Sequence, residues 1–254
     1  MAFKALDFII NNLSGDTFGL KIGNFGSSGS ETISSSVIET KFVEMYGRDA
    51  PHYMGATMGS DTITIPITFV SLQGEINRQK LSDINKKLFK KLIPVNLKVL
   101  QDDLANVYFR GVFEKADPVS LGNGLYGIET SFKLLDNFAY ENENTVSLGS
   151  TFVNSSDSPL GLKPIIKFKM SSSGGNYTIK NTTNGIEMVF TSLSGGEEIT
   201  LDCDKQMITS SLDLRRLSNF NKQWMIFEQG VNKLEFSGNG TNPTVTFKNK
   251  KSVW

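Results

Sequence analysis

Apolar and polar residues alternate with a period of two through most of the chain. Ile63, Ile65, Ile67 and Phe69 are interleaved with Thr62, Thr64, Pro66 and Thr68, which predicts a half-buried strand with one apolar face. Pro66 has no N–H to give to a ladder, so this strand is expected at an edge or beside a bulge. Phe18, Leu20 and Ile22 show the same pattern earlier, and Val95, Leu97 and Val99 show it later. Val107 to Phe113 and Tyr126 to Leu134 follow, joined by a glycine-rich turn. Further on, Ile166, Phe168 and Met170 alternate with lysines, and Ile186, Met188 and Phe190 predict another strand. Ile199/Leu201 and Trp224/Ile226 add short ones.

One segment departs from this period. From Glu75 to about Ile93 the apolar residues fall at Ile76, Leu81, Ile84, Leu88 and Leu92, the spacing of a helix. Arg78, Lys80, Lys86, Lys87, Lys90 and Lys91 occupy much of the remainder, and Pro94 ends the pattern. Lysines in the last turns suit the negative end of the helix dipole. The basic stripe reads as the solvated face of a helix covering a sheet, the alternative being a docking face for an acidic neighbour.

Ser, Asn, Gly and Pro dominate 150–164, the composition of a linker or long crossing loop. Upstream lie strands and the one helix; downstream lie short strands with frequent turn signals. The expected fold is therefore mainly β, with two sandwich- or barrel-like domains over 1–148 and 149–254, the first carrying a single helix at about 75–93. No fixed-period repeat stands out. Met45 to Gly59 reads as a long loop with exposed Met and aromatic residues, a candidate contact surface.

Composition narrows the function. Hydrophobic residues make up 39% and charged residues 20%, enough apolar content for packed cores. Acidic and basic residues balance at 26 each, so no net field draws the protein to nucleic acid. No apolar run reaches the roughly 18 residues of a membrane span, and the N-terminus lacks the pattern of a signal peptide. Cys203 is the only cysteine, so no intrachain disulfide forms and assembly in a reducing cytoplasm fits. Asn-x-Ser/Thr triplets at Asn12, Asn154, Asn181 and Asn239 then read as coincidences of an Asn- and Ser-rich chain.

Candidate chemistry is sparse, and no catalytic, cofactor-binding or metal-binding residue is assigned. His52 is the only histidine and no G-x-S-x-G elbow accompanies it. Cys203 lies between Asp202 and Asp204, an anionic setting that disfavours a thiolate. Gly122, Gly124 and Gly127 match G-x-G-x-x-G, but a strand pattern rather than a helix follows, so the glycines read as a hairpin turn. Asp202 and Asp204, with Glu197 and Glu198 nearby, suggest a calcium site or a glycosidase pair as rivals to ordinary turn acids. Trp224, Phe227, Phe247 and Trp254 fill a sandwich core or, alternatively, form a sugar-stacking platform.

The C-terminal third carries an ordered series. It runs Leu160-Gly161-x-x-Pro164-Ile-Ile, Gly195-Gly196…Leu201-Asp202, Trp224 to Phe227, Gly230-x-Asn232-x-Leu234, a final strand and Trp254. Trp224–Phe227 reads as a strand, Gly230 and Asn232 as the tight turn after it. The series resembles the C-terminus of distal tail proteins, hub components at the tip of long, non-contractile bacteriophage tails, and the N-terminal outline agrees. The resemblance implies a homohexameric ring in the virion, assembled in the bacterial host cytoplasm. In it the ring joins the tail tube protein to a tail-associated fibre, spike or lysin protein. It also implies that the C-terminal domain faces outward, where receptor-binding proteins attach, and that an arm or hairpin near Met45–Gly59 helps close the ring. It brings no catalytic or cofactor residues. The alternative reading is a carbohydrate-binding β-sandwich used in surface attachment.

Overall fold

A computed structural model describes residues 7–23, 38–43, 52–58, 63–89 and 93–252. The chain divides into two compact units, Met1–Ala139 with Val253–Trp254, and Tyr140–Ser252. No helix among the described residues is long and apolar enough to cross a membrane.

The first unit contains strands β1 (Phe8–Ile10), β2 (Leu13–Ser14), β3 (Leu20–Gly23), β4 (Ile38–Val43), β5 (His52–Met58) and β6 (Thr64–Ser71). Helix α1 (Arg78–Ile84) follows, then β7 (Val95–Val99), β8 (Val107–Leu121) and β9 (Gly124–Leu134). An antiparallel sheet runs in the order β2-β1-β7-β8-β9-β6-β3. Ile65, Ile67 and Phe69 of β6 are buried, as the alternation predicted. Pro66 lies in a strand flanked on both sides, β9 and β3, rather than at the end of the sheet. The described part of β3 stops opposite Thr68, and among the described residues Pro66 is paired with Ser131 of β9.

The helix is shorter than its apolar pattern. It starts at Arg78 because the Asn77 side chain accepts from the Lys80 N–H (2.7 Å), fixing the N-cap there. Beyond Ile84 the chain widens into a π-type turn over Asn85–Phe89. That turn puts two successive residues, Leu88 and Phe89, into the core, which a regular helix would set on diverging faces. Residues 90–92, including Leu92, lie outside the described residues. Phe89 closes a chain of rings: Phe8–Phe69 (4.5 Å), Phe69–Phe89 (5.1 Å), Phe89–Phe113 (5.0 Å) and Phe113–Phe132 (4.7 Å). Strands β1, β6, β8 and β9 thus meet the helical segment through one aromatic cluster.

The second unit is a two-sheet sandwich. The strands from here on are β10 (Ala139–Glu141), which belongs to neither sandwich sheet, β11 (Asn144–Ser147), β12 (Thr151–Asn154), β13 (Ile165–Lys169), β14 (Gly175–Asn181) and β15 (Glu187–Leu193). They continue with β16 (Glu198–Asp202), β17 (Met207–Ser210), β18 (Gly230–Gly238), β19 (Thr244–Phe247) and β20 (Lys250–Lys251). One sheet has the order β11-β19-β13-β16-β17, the other β12-β18-β14-β15. Ile166, Phe168, Ile179, Met188, Phe190, Ile199 and Leu201 form the core between them, while Lys167 and Lys169 point out. The stretch expected as a linker therefore supplies a strand, β12, which pairs with β18, and just before it β11 pairs with β19.

Two polar devices complete this unit. Apart from a single backbone bridge, Phe190 to Phe220, the free side of β15 is lined by amide side chains instead of another strand. Asn221 Oδ1 accepts from Val189 N–H, its Nδ2 donates to Glu187 O, Gln223 Oε1 accepts from Glu187 N–H, and Asn219 Nδ2 donates to Thr191 O. Lys222, at φ +64, takes that segment out of strand geometry, which is why side chains substitute for the ladder. The second device is a buried ion pair. Arg216 grips Glu197 through Nε–Oε1 (2.8 Å) and Nη2–Oε2 (2.6 Å), and Ser210 Oγ (2.6 Å) and Ser194 N–H (2.9 Å) donate to the same carboxylate. It anchors a segment on which Leu212, Leu214 and Leu217 are exposed.

Burial alone would raise the Glu197 pKa, but the hydrogen bonds and charge of Arg216, with Ser210 and Ser194, outweigh it and hold the carboxyl below its ordinary value. The pair's stabilisation is therefore full above the ordinary carboxylate pKa and is lost as the pH falls through the lower folded value. Arg216→Ala leaves that carboxylate buried and unpaired, and should cost about 3–5 kcal/mol. Urea unfolding at neutral pH reads the loss, and repeating it across the carboxylate titration range should show the parent's acid-side decline altered in the variant.

Candidate functional site

The residues that suggested chemistry do not converge. Asp202, at the end of β16, accepts from the Lys205 N–H (2.9 Å) and Nζ (2.8 Å). Burial raises its pKa, but these bonds and the Lys205 charge together bring it below the ordinary value. Asp204 instead lies 3.8 Å from Lys163 Nζ, Glu198 pairs with Lys167 (2.9 Å), and Glu197 is taken by Arg216. Four acids close in sequence thus have four different cations. Among the described residues no group of three or more His, Cys, Asp or Glu side chains is placed to hold a metal ion. Cys203 is buried, and desolvation pushes its thiol up to about 12. Gly122, at φ +61, sits in the β8–β9 hairpin turn, with Leu121 opposite Gly124, as the glycine pattern predicted.

The aromatic residues also resolve. Phe227 is fully buried against Phe152 (4.4 Å), Phe247 packs on Phe152 (5.1 Å), and Trp224 packs on Phe220 (5.0 Å). Phe227 lies in the sandwich core, and Trp224 and Phe247 are partly buried against it. Trp254 lies outside the described residues. Of the basic stripe, Arg78, Lys86 and Lys87 are exposed, and Lys80 Nζ donates to Gln73 Oε1 (2.8 Å). Lys90 and Lys91 lie outside the described residues.

What the molecule offers instead is surface. The region read as a loop from Met45 to Gly59 is in part a strand: His52–Met58 forms β5 and pairs with β4, while 44–51 and 59–62 lie outside the described residues. The two strands make a ribbon of their own, hydrogen-bonded to no other strand among the described residues. Phe42 and Tyr53 face one another edge to ring at 5.6 Å across a bulge at Lys41/Phe42. Both are 54% exposed and Met54 is 61% exposed. His52 stands opposite Val43 at the end of this ribbon, exposed and far from a catalytic setting.

A second feature was missed by sequence reasoning. Trp224–Phe227 is not a strand; the chain crosses there with a single bridge, Phe227 to Leu162. Its carbonyls are gathered by asparagines. Asn184 Nδ2 (2.8 Å) and Asn181 Nδ2 (3.2 Å) donate to Ile226 O, and Asn154 Nδ2 (2.9 Å) donates to Phe227 O. Asn232 Nδ2 donates to Glu228 O (2.8 Å), while its Oδ1 accepts from Glu228 N–H (3.0 Å) and from Asn181 Nδ2 (3.0 Å). Asn232 is thus a fully buried clamp inside β18, not a turn residue; Gly230, at φ +90, makes the bend. Asn154 and Asn181, two of the Asn-x-Ser/Thr asparagines, are occupied in this cage.

Comparisons bear directly on these surfaces. A family model described as a phage tail protein N-terminal domain matches residues 3–133, and one described as a phage tail C-terminal domain matches 132–248. The chain belongs to this phage tail protein family. It is a tail component of the phage virion, and the likeness to distal tail proteins read from its sequence is borne out. Among solved structures, the Dit protein of phage SPP1, described as a paradigm of the hub adsorption apparatus in phages infecting Gram-positive bacteria, aligns with a TM-score of 0.69. Identity is 14%, over 98% of this chain and 100% of that one. A chain of the phage P2 baseplate in its activated, calcium-bound conformation aligns with a TM-score of 0.52 and 12% identity, over 98% and 99% of the two chains. These likenesses describe a shared fold. No curated protein matches the sequence.

Two outcomes follow for the tail protein. Asn232→Ala removes the side-chain partner of the part-buried Glu228 N–H and C=O and one acceptor of the buried Asn181 amide, and should cost about 1–3 kcal/mol in all. Hydrogen exchange should rise at Glu228 before it rises in β14 or β18. Cys203 should resist a thiol reagent at neutral pH in the folded protein and react fully in denaturant, since its thiol is both covered and protonated.

Proposed function

We propose that six copies of this chain close into a ring at the distal end of a long, non-contractile phage tail. The ring is the hub that joins the tail tube protein to the fibre, spike or lysin protein of the tip, and it takes part in host attachment. Its role is structural rather than catalytic. The second unit offers the surface for receptor-binding proteins.

The observation that carries this reading, beyond family membership, is the β4–β5 ribbon. An isolated two-stranded hairpin is marginal in water, and this one exposes Phe42, Val43, Tyr53 and Met54 together. Such a ribbon is stable when a neighbour covers it. In a cyclic ring each copy covers the ribbon of the next, and closure leaves no apolar edge unpaired. The zero net charge adds no long-range repulsion between copies. The SPP1 Dit protein, with which the chain shares its fold, is described as part of a hub adsorption apparatus.

Negative-stain images of the purified chain should show rings of about six subunits, the closed symmetry that head-to-tail contacts allow. Replacing Phe42 and Tyr53 together with Asp should abolish the rings and leave the circular dichroism spectrum unchanged. A parent protein that stays monomeric at micromolar concentration, alone and with its tail tube protein, sinks the proposal.

A further inference from the structure

The asparagine-clamped segment forms one wall of a cleft. Ile226, Glu228 and Gln229 face Pro159, Leu160 and Gly161 across a space of about 400 Å3, within the range that accepts a few side chains of a bound segment. Gly161, at φ +73, allows the walls to come this close: a Cβ there would stand 2.6 Å from Ile226 Cγ2 and 3.0 Å from Phe227 O. Leu160 is 75% exposed, more than any other large apolar residue described. Val153 and Val231, opposite each other on β12 and β18, are also exposed.

The cleft has a charge as well as an apolar lip. Glu228 is exposed and, among the described residues, forms no ion pair, although its backbone N–H and C=O are both held by Asn232. Elsewhere in this unit Lys205 pairs with Asp202, Lys163 with Asp204, Lys167 with Glu198 and Arg216 with Glu197. An unpaired carboxylate over a preformed apolar lip suits one kind of occupant. We infer that this cleft binds an extended segment of a neighbouring tail protein, an arginine or lysine meeting Glu228 beside an apolar side chain on Leu160 and Ile226. This rests on the tail-hub reading, and it names the chemistry by which the second unit holds its neighbour. Because the asparagines fix the wall beforehand, binding orders the incoming segment and leaves the wall as it is.

The test uses the full chain and immobilised decapeptides tiled across the other tail proteins encoded with it, across this chain itself, and a glycan array. The expected result is binding to neighbour-protein peptides that carry a basic residue beside an apolar one. Glu228→Lys should weaken these by about tenfold and Leu160→Asp by more, as loss of one charge contact and of one apolar anchor implies. Both positions are exposed, so thermal melting should match the parent. No binding to any tiled peptide, binding unchanged in both variants, or binding confined to glycans or to this chain's own peptides overturns the inference. Rings imaged with parent and both variants separate the two proposals: rings without peptide binding remove the cleft assignment alone, and absence of rings in the parent removes the hub reading alone.

Discussion

Buried backbone must be hydrogen-bonded, and where no strand is available the chain must find donors elsewhere. That constraint governs the second unit. The crossing at 224–229 drives Met225 and Phe227 into the core, yet it lies in no sheet. Asn154, Asn181, Asn184 and Asn232 supply what a ladder would, from three separate parts of the chain. The arrangement is cooperative: Asn181 also donates to Asn232 Oδ1, so the clamps hold one another. From it follow the seat of Phe227 on Phe152, the bridge to Leu162 and the spacing of the two walls that face solvent nearby.

The first unit solves its problem with apolar contacts. Its sheet buries Phe8, Phe69, Phe109 and Phe132, and Phe89 from the widened turn completes the aromatic cluster. With the core satisfied by this sheet and helix, the β4–β5 ribbon is left as an element with no further ladder partner among the described residues. In both units, then, the rigid interior supports a small displayed element.

The strands were legible where burial falls on one face: Ile65, Ile67 and Phe69, or Ile166 and Phe168, repeat with the pleat. The helix was legible in place but not in length, since its start depends on the Asn77 cap and its end on a π-type turn that shifts the apolar register. The ribbon was hidden because His52–Met58 holds Gly and polar residues without alternation. Strands β11 and β12 were hidden in the same way, by a Ser- and Asn-rich stretch whose pairing partners lie far along the chain. Trp224–Phe227 misled in the opposite direction. Its aromatic spacing reads as a strand, while the asparagines that displace the ladder lie up to seventy-three residues away, as Asn154 does from Phe227. The cleft left no signal beyond Gly161, because long-range contacts create it.

The amide lining of β15 has a consequence for a protein made in many copies within one host cell. A bare strand border invites another chain to extend the sheet, and the process repeats without limit. Asn219, Asn221 and Gln223 meet the same backbone groups but carry no continuing row of donors and acceptors outward. Growth along that border stops after the chain's own residues, so subunits crowded before assembly cannot polymerise through it into fibres.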